Sequence, residues 1–183
     1  MFMQDITRFA ATPVTTAPAG LNQGLIDGTL VESAAGWQPV QTLKVGDSVY
    51  TLDGGLRRVV ALNRREVLPG EPVVQIAGGH LDASSDVMLM PGQGVLLDTV
   101  GLMAAPYARV PATTLTACVG ATATAAPRRA EVVTPIFAEE EVVWAQSGLL
   151  LLCPGVRGGE TDFPELHAAA AKLFLTERTR RFA

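Results

Sequence analysis

Apolar and polar positions alternate over short stretches through most of this chain. Ser48-Val49-Tyr50-Thr51 has the period of two expected of a strand. Behind it, Asp53-Gly54-Gly55 is a turn signal, because these residues tolerate positive φ. Residues 56–62 read as the return strand. Further short runs fall at 29–32, 37–40, 73–76, 87–90, 95–97, 131–136 and 141–145, and Gly or Pro separates most of them. Many short strands at close spacing predict a compact all-β fold rather than βαβ units. The same pattern places Trp37, Val49, Leu62, Leu96, Val143 and Leu150 in the core.

The two ends break the pattern. Residues 1–23 hold Pro13, Pro18, Gly20 and many small side chains, with no strand or helix period, so they read as an extended arm. Phe2, Met3, Ile6 and Phe9 are its apolar points. Their spacing suits a short helical turn laid into a groove of another protein chain, and the alternative is that they fold back on their own domain. Residues 156–183 read as a linker and one helix, over 163–182. Thr161 or Asp162 can cap it, with Pro164 early and Glu165 in the first turn. Leu166, Ala170, Leu173 and Phe174 fall at helical spacing, and Arg178, Arg180 and Arg181 suit the negative end of the dipole. Residues 110–129 show no period and read as a loop with one strand around Cys118.

Composition narrows the function classes. Hydrophobic residues make up 48% and charged residues 17% of 183 residues, so broad disorder is excluded and one domain of this length can bury a core. No apolar run approaches the roughly 18 residues a membrane span needs. A net charge of −4 argues against nucleic acid as the partner. Asp5 and Arg8 interrupt the start, and no apolar stretch of a Sec signal follows. The expected location is cytoplasmic, or within an assembly exported or released without such a signal.

Other candidate chemistry is thin. His80 and His167 lie in different elements, without the companion ligands a metal site needs, and read as a loop and a helix-surface histidine. Glu139-Glu140-Glu141 reads as a solvated turn before a strand, and Asp82 to Asp86 lacks the Gly and distal Glu of a calcium loop. No phosphate loop or dinucleotide fingerprint is present. Cys118 and Cys153 read as two unpaired small hydrophobes, with Cys153 buried at the end of an apolar run and therefore inert. Neither a cofactor nor a metal is expected.

One set of motifs does carry a resemblance. Gly24-Leu25-Ile26-Asp27-Gly28-Thr29 is followed by Trp37-Gln38-Pro39-Val40 and then by Gly46-Asp47 before a strand. Later come Pro91-Gly92-Gln93-Gly94-Val95-Leu96-Leu97 and Glu141-Val142-Val143-Trp144. In this order the segments resemble Hint domains, the fold of Hedgehog C-terminal regions and inteins, and among them a bacterial subgroup common in alphaproteobacteria. The resemblance spans about residues 24–155. It implies a pseudo-two-fold, all-β Hint-like domain, here carrying an N-terminal arm and a C-terminal helix.

The family's chemistry is self-processing. A Cys or Ser at the first position attacks the preceding carbonyl, and a His protonates the leaving amide nitrogen. This chain departs from that pattern at each matching position. Gly24 stands in the nucleophile's place, Met90 in that of a Ser or Thr, Gln93 in that of the His, and Glu140 in that of a second His. Glutamine keeps hydrogen bonding but shuttles no proton at neutral pH. The expected function is a non-catalytic structural or interaction protein. It would be a subunit of a larger assembly, such as a phage-like particle or a surface appendage, that meets other protein subunits through the arm and the C-terminal helix. One alternative is residual self-processing from a displaced nucleophile, for which Thr29 is the nearby hydroxyl. The other is a free cytoplasmic binding module.

Overall fold

The computed structural model describes residues 22–101, 103–157 and 163–182. Most of the arm, and with it Phe2, Met3, Ile6 and Phe9, lies outside the described residues, as do Thr161 and Asp162.

Two antiparallel sheets build the domain. The first contains β1 (Leu25–Ile26), β6 (Ala61–Val67), β7 (Pro72–Ile76), β8 (Val87–Leu89), β11 (Ala121–Ala125) and β12 (Ala130–Ile136), in the order β11-β7-β8-β1-β12-β6. The second contains β2 (Leu30–Ser33), β3 (Gly36–Pro39), β4 (Ser48–Thr51), β5 (Gly55–Arg58), β9 (Gly94–Asp98), β10 (Tyr107–Pro111), β13 (Glu141–Ala145) and β14 (Leu149–Cys153). Its order is β10-β9-β14-β13-β2-β4-β5, with β3 paired to β2. The all-β reading therefore holds, and most predicted runs are strands.

The core forms where inward positions of both sheets meet. Leu25, Val74, Ile76 and Leu89 of the first sheet pack with Val31, Val49, Leu97, Val143 and Leu151 of the second, and Phe137 closes the layer. A smaller cluster on the second sheet's other face joins Leu96, Val142 and Leu150 to Trp144, Leu152 and Phe163. Four of the six predicted core residues, Val49, Leu96, Val143 and Leu150, are buried. Leu62 is only partly so, and Trp37 is 41% exposed. Trp37 pairs with Glu32 on the edge strand β3, where the sheet has solvent on one side.

The chain crosses between the sheets where a single strand was expected over 56–62. Val59 is fully buried and donates to Asp47 O, and the next amide, Val60, donates to Ile136 O in the other sheet. This switch splits the run into β5 and β6. The expected loop over 110–129 is better ordered than its sequence suggests. It contains the end of β10, a 3-10 turn over Ala112–Ala117 and strand β11. Ala and Thr alternate in β11 without hydrophobic contrast, so the strand leaves no amphipathic signal.

The C-terminal helix α1 (Ala168–Phe182) starts later than predicted. Residues 163–166 instead lie along β10, where Arg109 N–H donates to Pro164 O and Leu166 N–H to Arg109 O. Ala171, Phe174 and Leu175 bury the helix against the core, while Ala170 is exposed and Leu173 is 74% exposed. No helix of the described residues is long and apolar enough to cross a membrane.

Leu151 is fully buried and Leu56 is 46% exposed. Replacing Leu151 by Ala should therefore cost about 2–5 kcal/mol in chemical denaturation. Leu56→Ala should cost under about 1 kcal/mol. Equal effects would mean that the inward face has been assigned to the wrong residues.

Candidate functional site

The site begins where β1 starts. Leu25 pairs with Leu89 of β8 on one side and Val133 of β12 on the other, so Gly24 is drawn into the interior. Residues 90–93 carry the chain from β8 in the first sheet to β9 in the second. The turn wraps the strand's approach: Gly92 N–H donates to Asn22 O at 2.8 Å and Met90 N–H to Gly24 O at 3.4 Å. A Cβ at Gly92 would come within 2.9 Å of Asn22 O, so only glycine lets the two segments approach this closely.

Gln93 is 2% exposed and both polar atoms of its amide are hydrogen-bonded. Its Oε1 accepts from Gly24 N–H at 3.0 Å. Its Nε2 donates to Gly94 O at 3.0 Å and to Leu152 O at 2.8 Å. One donor and two acceptors face the side chain, which sets the orientation of the amide. The side chain thus ties the start of the first sheet to β9 and β14 of the second.

Gly24 itself has φ of +129°, a conformation that L side chains rarely adopt. A Cβ there would lie 2.4 Å from Val132 Cγ1 and 2.8 Å from Thr134 Oγ1. The backbone is therefore closed against any side chain at this position unless β12 moves. Met90 is buried, and its sulfur accepts from Arg65 Nη2 at 3.4 Å. Glu140 is exposed and lines a cleft of about 250 Å³ beside the clamp, together with Gln23, Gly94, Arg109, Leu152 and Glu165. Arg109 and Glu165 form an ion pair across that cleft.

The four positions singled out from the sequence thus gather in one region. Gly24, Met90 and Gln93 form its buried part, and Glu140 sits at its mouth. Thr29 is 2% exposed, and its hydroxyl donates to Ile26 O at 2.7 Å, so its proton is committed to a carbonyl rather than to a base. Thr134, Arg109 and Glu165 were not legible as neighbours of the site. Each arrives from a distant strand or loop, and no local spacing announces it.

The buried thiol beside the site is not an activated nucleophile. Burial pushes the Cys153 thiol up to about 12, and the charges of Glu140 and Glu141 add to the shift. Neither cysteine is in a disulfide. His80 lies in the turn after β7, packed against Gly120, and His167 is exposed just before α1. Among the described residues, no three His, Cys, Asp or Glu side chains converge as a metal site would require.

These features define an all-β domain whose first strand starts inside a buried backbone clamp at the junction of two sheets. The family model of the Hint domain matches residues 23–150, and the chain belongs to the Hint family. Its fold is similar to the solution structure of a bacterial intein-like domain from Clostridium thermocellum. That match has a TM-score of 0.53 at 14% identity, covering 70% of this chain and 97% of the other. The MchDnaB-1 intein matches with a TM-score of 0.45 at 16% identity, over 69% of this chain and 98% of that one. The gp41-1 intein matches at 0.43 and 12%, over 72% and 98%. No curated protein matches the sequence.

Two outcomes follow from this geometry. Gln93→Leu keeps the volume but strands Gly24 N–H, Gly94 O and Leu152 O without their partner, and should cost about 2–4 kcal/mol in denaturant unfolding. A loss under about 0.5 kcal/mol would show that the clamp is dispensable. Cys153 has a second consequence. Its folded pKa lies above the ordinary value of 9.0, so below about pH 9 both folded and unfolded states keep the proton and this thiol adds no pH dependence to stability. As pH rises from about 9 toward 12 only the unfolded thiol ionises, so stability should fall across that window. The slope should be shallower in Cys153→Ser by this thiol's share, as followed by melting temperature against pH.

Proposed function

We propose that this Hint domain does not process its own backbone and serves instead as a rigid β platform for protein contacts. The observation that carries the reading is Gly24. It occupies the position that resembles the family's nucleophile, it has no side chain, and its φ and its approach to Val132 leave no room for one. The hydrogen bonds at Gln93 support the same reading. Where a proton-transferring His would be needed, a glutamine holds the Gly24 peptide N–H and commits both amide hydrogens to backbone carbonyls. A group that cannot gain or lose a proton near neutral pH cannot act as the general acid for a leaving amide.

In this reading the domain is a subunit of a larger assembly, such as a phage-like particle or a surface appendage. Its contacts are other protein subunits, met through the N-terminal arm with Phe2, Met3, Ile6 and Phe9 as anchors and through α1. The exposure of Leu173 on the outer face of α1 supports a role for the helix. Residues 10–21 are rich in Pro, Gly, Ala and Thr, which bury little apolar surface. That falls short of an ordering cost of ~1–2 kcal/mol per residue, so the arm would gain order from a partner.

Intact-mass measurement of the full chain, incubated with dithiothreitol or hydroxylamine, should give the uncleaved mass alone. A thiol-dependent product broken near residue 24 would overturn the reading. Deleting residues 1–20 should leave the melting temperature of the domain unchanged while removing the chain from the complexes it co-purifies with. If the deletion unfolds the domain, the arm belongs to the core.

A further inference from the structure

Strands β2, β4 and β13 meet pairwise at one point of the second sheet. Val31 pairs with Ala145, Ser33 with Val49, and Val143 with Thr51. All six of these residues are buried, so they form the inward side of the junction. Between them in sequence lie Glu32, Tyr50 and Trp144, one from each strand. Side chains alternate along a strand, so these three share the outward side. Their hairpin partners extend the patch, because residues directly opposite each other in an antiparallel pair share a face. Trp37 lies opposite Glu32, Leu56 opposite Tyr50, and Leu150 opposite Trp144. Tyr107 faces the same way from β10, since its neighbour Ala108 is turned to the core. Both tryptophans and both tyrosines of the chain thus stand on one face. Trp37 and Tyr50 are 41% and 40% exposed. Scattered apolar residues on a surface need no explanation, but grouped aromatic ones mark a binding surface.

Glu32 gives this patch its chemistry. It is half-buried, and among the described residues its carboxylate has no hydrogen bond or ion pair. The other half-buried carboxylates are all engaged. Arginines hold Asp27, Glu131 and Glu141. Backbone N–H groups donate to Asp47 and Glu71. Arg58, on the same side of β5 as Leu56, forms no ion pair with Glu32. An acceptor with a full negative charge therefore stands among aromatic rings with no cation supplied by the described residues.

We propose that this face takes an arginine side chain from a segment of a partner protein, the guanidinium stacking on the Trp37 ring and donating to the Glu32 carboxylate. This names the chemistry of the protein contact in the reading above and rests on that reading. A cation suits both features, because the ring faces attract it and the carboxylate accepts its hydrogen bonds. Arginine fits better than lysine, since its guanidinium is planar, stacks on aromatic faces and forks onto a carboxylate. Tyr50, Leu56 and Trp144 border the pair with apolar surface that excludes water. One such side chain gives a dissociation constant on the order of 10 mM.

The probe is the peptide acetyl-Gly-Gly-Arg-Gly-Gly-amide, titrated to about 50 mM into the full chain at constant ionic strength. The indole N–H signals of Trp37 and Trp144, followed by two-dimensional NMR, should shift along a binding curve. The same peptide with citrulline in place of arginine keeps the shape without the charge, and should bind at least about tenfold more weakly. Glu32→Gln and Trp37→Ala should each weaken the arginine peptide at least about fivefold at an unchanged melting temperature. Indole signals that stay still would overturn the proposal. So would a citrulline peptide that binds as well, or a Glu32→Gln chain that binds the arginine peptide as tightly as the original. If the neutral sugar cellotriose moves both indoles further than the peptide does, the face takes saccharides and the proposal falls. A chain that stays whole but ignores the peptide loses this inference alone, whereas one that cleaves itself and still binds the peptide loses only the non-processing reading.

Discussion

The buried amide of Gln93 joins the start of the first sheet to two strands of the second. It sits on the crossover between the two sheets, accepts from the first residue before β1, and donates into β9 and β14. A buried amide costs free energy unless all its polar atoms are matched, and here the surrounding backbone supplies one donor and two acceptors. The geometry that satisfies Gln93 also dictates its neighbours. Gly92 must lack a side chain to let the turn close on Asn22, and Gly24 must lack one to fit against Val132 and Thr134. The clamp and the glycine at residue 24 are one structural fact, because the space a side chain would need there is the space that β12 fills.

Seen this way, the chemistry of the site follows from packing. The Hint fold brings the beginning of β1, the β8–β9 turn and the end of β14 to one point. In this chain that point contains the Gln93 amide and the side-chain-free Gly24. Around it, the thiol of Cys153 is held protonated by burial, and the carboxylate of Glu165 is engaged by Arg109. The charged side chains of the first sheet are similarly matched: Arg64 with Glu131, Arg128 with Asp27, and Arg129 with Glu66. These pairs are solvent-exposed and add little stability, but they leave that face without an excess of either charge.

Much of this was legible in the chain alone, for physical reasons that differ by element. Strand period in residues 48–51 exposed β4, because its alternate residues Val49 and Thr51 are buried, and the Asp-Gly-Gly turn alone marked its partner β5, which is exposed throughout. The family motifs singled out Gly24, Met90, Gln93 and Glu140, and these residues do come together. The all-β class needed only the density of short runs between Gly and Pro. Residue identity at position 24 was also sufficient to exclude a side-chain nucleophile there.

Tertiary structure decided the rest. Whether Trp37 faces a core or solvent depends on which layer covers β3, and no local pattern encodes that layer. The division of residues 56–62 between two sheets depends on Val60 finding Ile136, a partner far along the chain. The start of α1 was set by β10, which recruits residues 163–166 as an edge cover before the helix can begin. Thr134, Arg109 and Glu165 became neighbours of the site only through strand pairing. The positive φ of Gly24 and the hydrogen bonds of Gln93 could not be read from residue types either. Both arise from distances between segments that meet only after the two sheets have closed on each other.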